Sequence, residues 1–254
     1  MAELQIYALG AFQVCRDFAP VSPAVWRNHW TQSLLKLLVV RYPDPVTAGE
    51  AVQLLDRGLT EAELPGVVEQ LRRVLAPEAD VQQDGESLAF VPGPRCWVDL
   101  HMLKAQYRAG VAAASRGAMV PAILAFQEAD ALYQGDLLEE SQERWVLPAR
   151  QACQELYTEI LEHLAEGHAV LARYQDAVGF CHKALAHDRL RESTYQRMMV
   201  YYYYLGDTGG MAEAYQSCRE ALATAGRQVS GDTADLWFRL ARRELPVAPG
   251  KTAA

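Results

Sequence analysis

The sequence predicts a mainly α-helical chain in two parts, a small mixed region followed by a longer helical one. Three observations predict it. Before residue 97, short runs that alternate apolar and polar residues are interleaved with three runs of helical period. At "VPGPRCWVDL", residues 91–100, two prolines and a glycine interrupt the pattern. Beyond it nearly every stretch has the helical period.

The first part reads in order. "LQIYALG" and "AFQVCRD" alternate by two and read as short strands. "VWRNHWTQSLLKLLVVR" predicts a helix from Val25 to Arg41 that stops before "YPDPV". "TAGEAVQLLD" predicts a second, with Thr47 as N-cap and Glu50 completing a capping box. In "ELPGVVEQLRRVLAP", residues 63–77, Val67, Val68, Leu71, Val74 and Leu75 form one apolar helix face. Pro65 suits a first helical position, so this helix is expected over 65–76. "VQQDGESLAFV" predicts a hairpin turning at Asp84-Gly85. Strands, three helices and a hairpin make up a winged helix-turn-helix with an extra N-terminal sheet. Its expected extent is 1–96.

In the second part, expected over 97–244, an alanine, a larger apolar residue four positions on and an alanine three further recur. The copies are Ala122–Phe126–Ala129, Ala177–Cys181–Ala184 and Ala214–Cys218–Ala221. Small residues at such offsets let paired helices approach closely. The steps of 55 and 37 residues are irregular beside the 34-residue tetratricopeptide period, so the expectation is degenerate helical-hairpin repeats, with a non-repeating bundle as the alternative. Residues 245–254, "LPVAPGKTAA", have no core-forming pattern and are expected to be a flexible tail.

Half the residues are hydrophobic and 22% are charged, which places the chain among folded globular proteins. The net charge is −8, which weighs against a protein that coats nucleic acid indiscriminately. No leader pattern opens the chain and no apolar run is long enough to span a bilayer, so no membrane partner is expected. Five scattered cysteines suit a reducing cytoplasm.

Chemistry of other kinds finds little support. His182 and His187 are five residues apart, as are His163 and His168, whereas a helical metal pair needs three or four. "GDTGG" lacks the lysine and hydroxyl of a phosphate loop and follows a helix instead of a strand. The carboxylates of "LLEESQE" read as a solvated helix or loop, and no nucleophile–base constellation is visible. No catalytic residue, metal or cofactor is therefore expected. "YYYY", Tyr201 to Tyr204, covers the whole circumference of a helix, so some of these rings fill a core and others are candidates for a partner-binding groove. Gly206 is positioned to end that helix.

Several motifs resemble one family. "ALYQGDLL", "ERWVLPAR", "HDRLRE" and "YQRMMVYYYYLGDTGGMAEAYQSCREAL" resemble the bacterial transcriptional activator domain, a tetratricopeptide-like module. In the Streptomyces antibiotic regulatory protein family that module follows a winged helix. "YALGAFQV", "VWRNHWTQSLLKLLVV", "EQLRRVL" and "WVDLHML" resemble that family's opening strands, first helix, recognition helix and start of the helical domain. The ordered match spans about residues 4–240. The resemblance implies a transcription regulator, often an activator, that binds double-stranded promoter DNA as a homodimer. It implies that the helical domain self-associates or contacts RNA polymerase or another protein.

In such a fold the outer face of the third helix enters the major groove. Gln70 and Arg73 then point outward with Glu69, Arg72 lies at the flank, and Arg27 on the first helix adds a cation; Arg27, Gln70, Arg72 and Arg73 are the DNA-contact candidates. Against them stand Glu61 and Glu63 just before the helix, and the acidic hairpin tip "QDGE". Residues 1–96 carry 8 Lys/Arg and 12 Asp/Glu, a net of −4. The rival expectation is a protein-interaction module whose winged region no longer holds DNA tightly.

Overall fold

The computed structural model describes residues 3–26, 28–55 and 58–244. By their contacts they group into two compact units, 1–105 with 131–154, and 106–130 with 155–254. The sequence break at 96–97 thus falls inside the first unit, and the tail 245–254 lies outside the described residues.

The first unit opens with β1 (Leu4–Tyr7), β2 (Gln13–Arg16) and β3 (Ala19–Pro20). With β7 (Cys96–Val98) they form a four-stranded sheet of order β3-β2-β1-β7, in which β1 pairs β7 in parallel, Leu4 opposite Cys96. After it come α1 (His29–Arg41), β4 (Val46–Thr47), α2 (Ala48–Leu55) and α3 (Leu64–Leu75). The wing is β5 (Ala79–Asp84) and β6 (Ser87–Pro92), which β4 extends to a sheet of order β4-β6-β5. This is the expected winged helix-turn-helix.

Local physics corrects three details. The first helix starts at His29, not Val25. Pro23–Trp26 form a separate 3-10 turn, and Asn28, extended at φ −142°, accepts from Thr31 N–H at 2.9 Å as N-cap. Thr47 does cap α2, accepting from Glu50 N–H at 3.2 Å, but the Glu50 carboxylate turns to Arg41 and does not close the box. In the wing, Asp84 pairs with Ser87, so the turn residues are Gly85 and Glu86; Gly85 supplies the positive φ of 58°.

A clamp ties this unit together. Asp99, 2% exposed at the start of α4 (Asp99–Ser115), accepts backbone N–H groups of Ala8 at 2.8 and 2.9 Å and Leu9 at 2.9 Å. On the other side of the same loop, Leu138 N–H donates to Ala8 O, Gly10 N–H to Asp136 O, and Leu9 bridges Leu137. Arg150 fixes the 137–141 stretch by donating to the carbonyls of Leu137, Leu138 and Ser141.

The second unit holds helical hairpins: the 106–115 part of α4 with the 119–130 part of α5 (Met119–Leu132), the 155–170 part of α6 (Val146–Val170) with α7 (Tyr174–His187), and α8 (Glu192–Leu205) with α9 (Thr208–Thr224), closed by α10 (Gly231–Ala241). The alanine triplets lie on α5, α7 and α9, and all nine residues are buried. Close approach is visible at Gly110, where a side-chain carbon would come within 2.6 Å of the Phe126 ring. Gly206 ends α8 in the left-handed region at φ 77°. The longer step of 55 residues is accounted for by the 133–145 connection and the 25-residue α6.

Candidate nucleic-acid interface

Helix α3 has the strongest amphipathic pattern of the first unit, and burial follows it. Leu64, Val67, Val68, Leu71, Val74 and Leu75 are at most 4% exposed. Pro65, Gly66, Glu69 and Arg73 are exposed, with Gln70 and Arg72 half-buried at the flanks. The helix begins at Leu64, with Pro65 inside its first turn, one residue before the expected start.

The sequence-derived candidates take different positions. Gln70 donates from Nε2 to the Val25 carbonyl at 3.0 Å, bracing the turn before α1. Arg72 donates from Nε to the Val81 carbonyl at 2.9 Å and lies 3.6 Å from Asp80, which fastens α3 to the wing. Arg73 is exposed, with Glu69 one turn before it at 3.1 Å. Arg27 lies outside the described residues. Sequence reasoning identified the outward direction of Arg73 and Glu69. The two braces have partners 45 and 9 residues away and leave no periodic trace.

The surroundings are electrostatically neutralised. Within the described part of 3–96 each arginine meets a carboxylate: Arg16 with Glu78 at 2.9 Å, Arg41 with Glu50, Arg72 with Asp80, Arg73 with Glu69, and Arg95 with Glu3. Lys36 lies over the Phe12 ring at 5.2 Å. At the helix entrance, hydrogen bonds from the Thr60 hydroxyl and N–H lower the Glu63 pKa, so its carboxylate stays charged there. Asp84 and Glu86 are exposed on the wing tip.

The tyrosines of α8 are distributed round the helix. Tyr201 is 7% exposed in the core of the second unit, and Tyr202 to Tyr204 are half-buried. Tyr202 packs where Gly210 has no side chain and meets His182 Nε2 at 3.2 Å. Tyr204 stacks on Tyr174 at 5.1 Å, with Tyr203 edge-on to it at 5.6 Å. The histidines also pack as rings: His163 stacks on Phe126 at 4.8 Å and His187 lies edge-on to Tyr157 at 4.9 Å. Among the described residues no group of three His, Cys, Asp or Glu could hold a metal, and no helix is long and apolar enough to cross a membrane. All five cysteines are unpaired, four of them buried. Glu143 of "LLEESQE" is not a freely solvated carboxylate: it accepts from the Ser33 hydroxyl at 2.5 Å and the Ser141 hydroxyl at 3.0 Å.

A winged helix-turn-helix joined to tetratricopeptide-like helical hairpins is the architecture of a transcription regulator. The model of the bacterial transcriptional activator domain matches residues 98–237, more than half of the sequence, and the chain belongs to that family. Its class is therefore transcriptional regulation. Among solved structures the chain is similar to Mycobacterium tuberculosis EmbR in complex with a low-affinity phosphopeptide, at 21% identity and TM-score 0.82, over 97% of this chain and 67% of that one. This likeness shows a shared fold across both parts. The TPR2B domain of yeast Sti1, in complex with pHsp70, matches at 14% identity and TM-score 0.42, over 56% of this chain and 98% of that one. The Sgt2 TPR domain of Aspergillus fumigatus matches at 16% and 0.41, over 60% and 89%. No curated protein matches the sequence.

Proposed function

We propose that this regulator acts in the cytoplasm by placing α3 in the major groove of promoter DNA, as a homodimer on repeated half-sites, and that its helical unit contacts RNA polymerase or another protein. The observation that carries the reading is the burial of α3: its six apolar residues anchor it while Glu69 and Arg73 face outward. Arg73 is the main described candidate for contact, and Arg27 joins it on sequence grounds alone. Because one copy offers few cations, its own affinity is low, and joining two copies raises it through effective concentration.

A second reading is favoured by the neutralised arginines and the braces at Gln70 and Arg72: an interaction module whose winged unit no longer grips DNA. Titrating the full chain with promoter duplexes over a range of salt separates the two. DNA reading predicts affinity that falls with salt, and Arg73→Ala weakens binding. Binding that is absent or insensitive to salt across a random duplex pool overturns it in favour of the module. Capture of one polypeptide, released by Tyr203→Ala or Tyr204→Ala, then identifies the active surface.

A further inference from the structure

We infer that Glu69 is a specificity-determining residue, and that Glu69 and Arg73 together read cytosine and guanine edges of C·G pairs. This rests on the DNA reading above and states what that helix would select.

The outward stripe of α3 is chemically sparse. Pro65 has no N–H to offer a phosphate, and at Gly66 a side-chain carbon would meet nothing within 4 Å, so the first turn is bare and open. The flanks are committed, Gln70 to the Val25 carbonyl and Arg72 to the Val81 carbonyl. The exposed polar side chains of the helix are Glu69, an acceptor, and Arg73, a donor. Glu69 Oε1 meets Arg73 Nη2 at 3.1 Å and Nε at 3.2 Å, with the side chains 53% and 63% exposed.

The major groove gives that pair a matching partner. Cytosine presents its N4 amino donor to a carboxylate, and guanine presents O6 and N7 to a guanidinium. The two residues are one helical turn apart, about 6 Å along the axis, so they reach the same or neighbouring base pairs. Glu69 also holds the guanidinium in place, which reduces the rotamer freedom lost on contact. Its carboxylate is repelled by phosphates and by the acceptor edge of thymine, so it weakens binding to unselected DNA while favouring the cytosine amino group. One pair of side chains covers one or two base pairs per copy, so a long site must come from repetition of a short one.

The test is selection from random duplexes with the full chain, followed by the same selection with Glu69→Gln and Arg73→Ala. The wild type should enrich C·G pairs at a fixed position in each half-site. Glu69→Gln should move the preference from cytosine toward adenine, the partner of glutamine, and bind unselected duplex more tightly. Arg73→Ala should lose the guanine preference, cutting discrimination about tenfold. Unchanged thermal midpoints of both variants would establish that folding is intact. If the wild type binds DNA and Glu69→Gln selects the same sites, the inference is overturned and the DNA reading stands. If the wild type binds no duplex, the DNA reading falls and this inference with it.

Discussion

Arg191–Glu162 in the helical unit and Arg73–Glu69 on α3 contain the same two groups at the same 3.1 Å separation. Their surroundings separate them. Glu162 is 8% exposed and also accepts from the Ser193 hydroxyl at 3.2 Å and the Thr194 hydroxyl at 2.5 Å, a network that locks α6 to the start of α8. Glu69 is 53% exposed and meets only its neighbour one turn on. An ion pair out of water becomes structural, because losing one partner strands a charge that cannot be resolvated. One in water contributes little to folding and stays available for exchange with another ligand.

The largest test of this contrast is Arg191→Ala, which should destabilise the chain by about 3 kcal/mol in denaturant unfolding. Burial works to raise the Glu162 pKa, but hydrogen bonds from Arg191 and Thr194 outweigh it and hold the carboxyl below its ordinary 4.5. Its contribution is therefore present above pH 4.5 and is lost as pH falls through the lower folded value. Arg191→Ala should shrink that acid limb.

Next in size is a half-buried ring without a charged partner. His101 stacks on Tyr42 at 4.3 Å and donates from Nε2 to the Val39 carbonyl at 2.7 Å. Burial pushes its pKa from 6.5 down to about 4. The unfolded chain takes up this proton first, so stability is full above pH 6.5 and declines toward pH 4. Unfolding free energies at pH 7 and pH 5 should differ by about 2 kcal/mol from this group, and His101→Gln, which keeps an N–H for Val39, should remove the difference.

Arg72→Ala is intermediate. It removes the bond to the Val81 carbonyl and should cost about 1 kcal/mol, with faster hydrogen exchange in the wing. The smallest stability effect belongs to Arg73→Ala, within about 0.5 kcal/mol. A larger loss there would erase the distinction between the two pairs and make Arg73 a brace like Arg72.

How much of this was legible in the sequence follows from range. Helix α3 and the outward placing of Glu69 and Arg73 were readable because helical period is a local signal. The start of α1 was misplaced because apolar residues continue through Val25 and Trp26, while the real boundary depends on one capping side chain, Asn28. Strands β3, β4 and β7 have two or three residues each, too few for a period to show. The occupation of Gln70 and Arg72 was invisible, since their acceptors are carbonyls supplied by another part of the fold. Asp99 carried a faint signal, an acid at a helix start, but its partners lie 90 and 91 residues away.

The Asp99 clamp also bears on how such a gene can be cut and joined. The loop at Ala8–Gly10 is gripped by "VDL" from one side and "GDLL" from the other, so the winged unit draws on sequence well past its last wing strand. A recombination point at the visible proline-rich seam would leave the N–H groups of Ala8 and Leu9 without their carboxylate, and a transplanted head would arrive missing its keystone. Inheritance of the two modules as one block is the arrangement this chemistry favours.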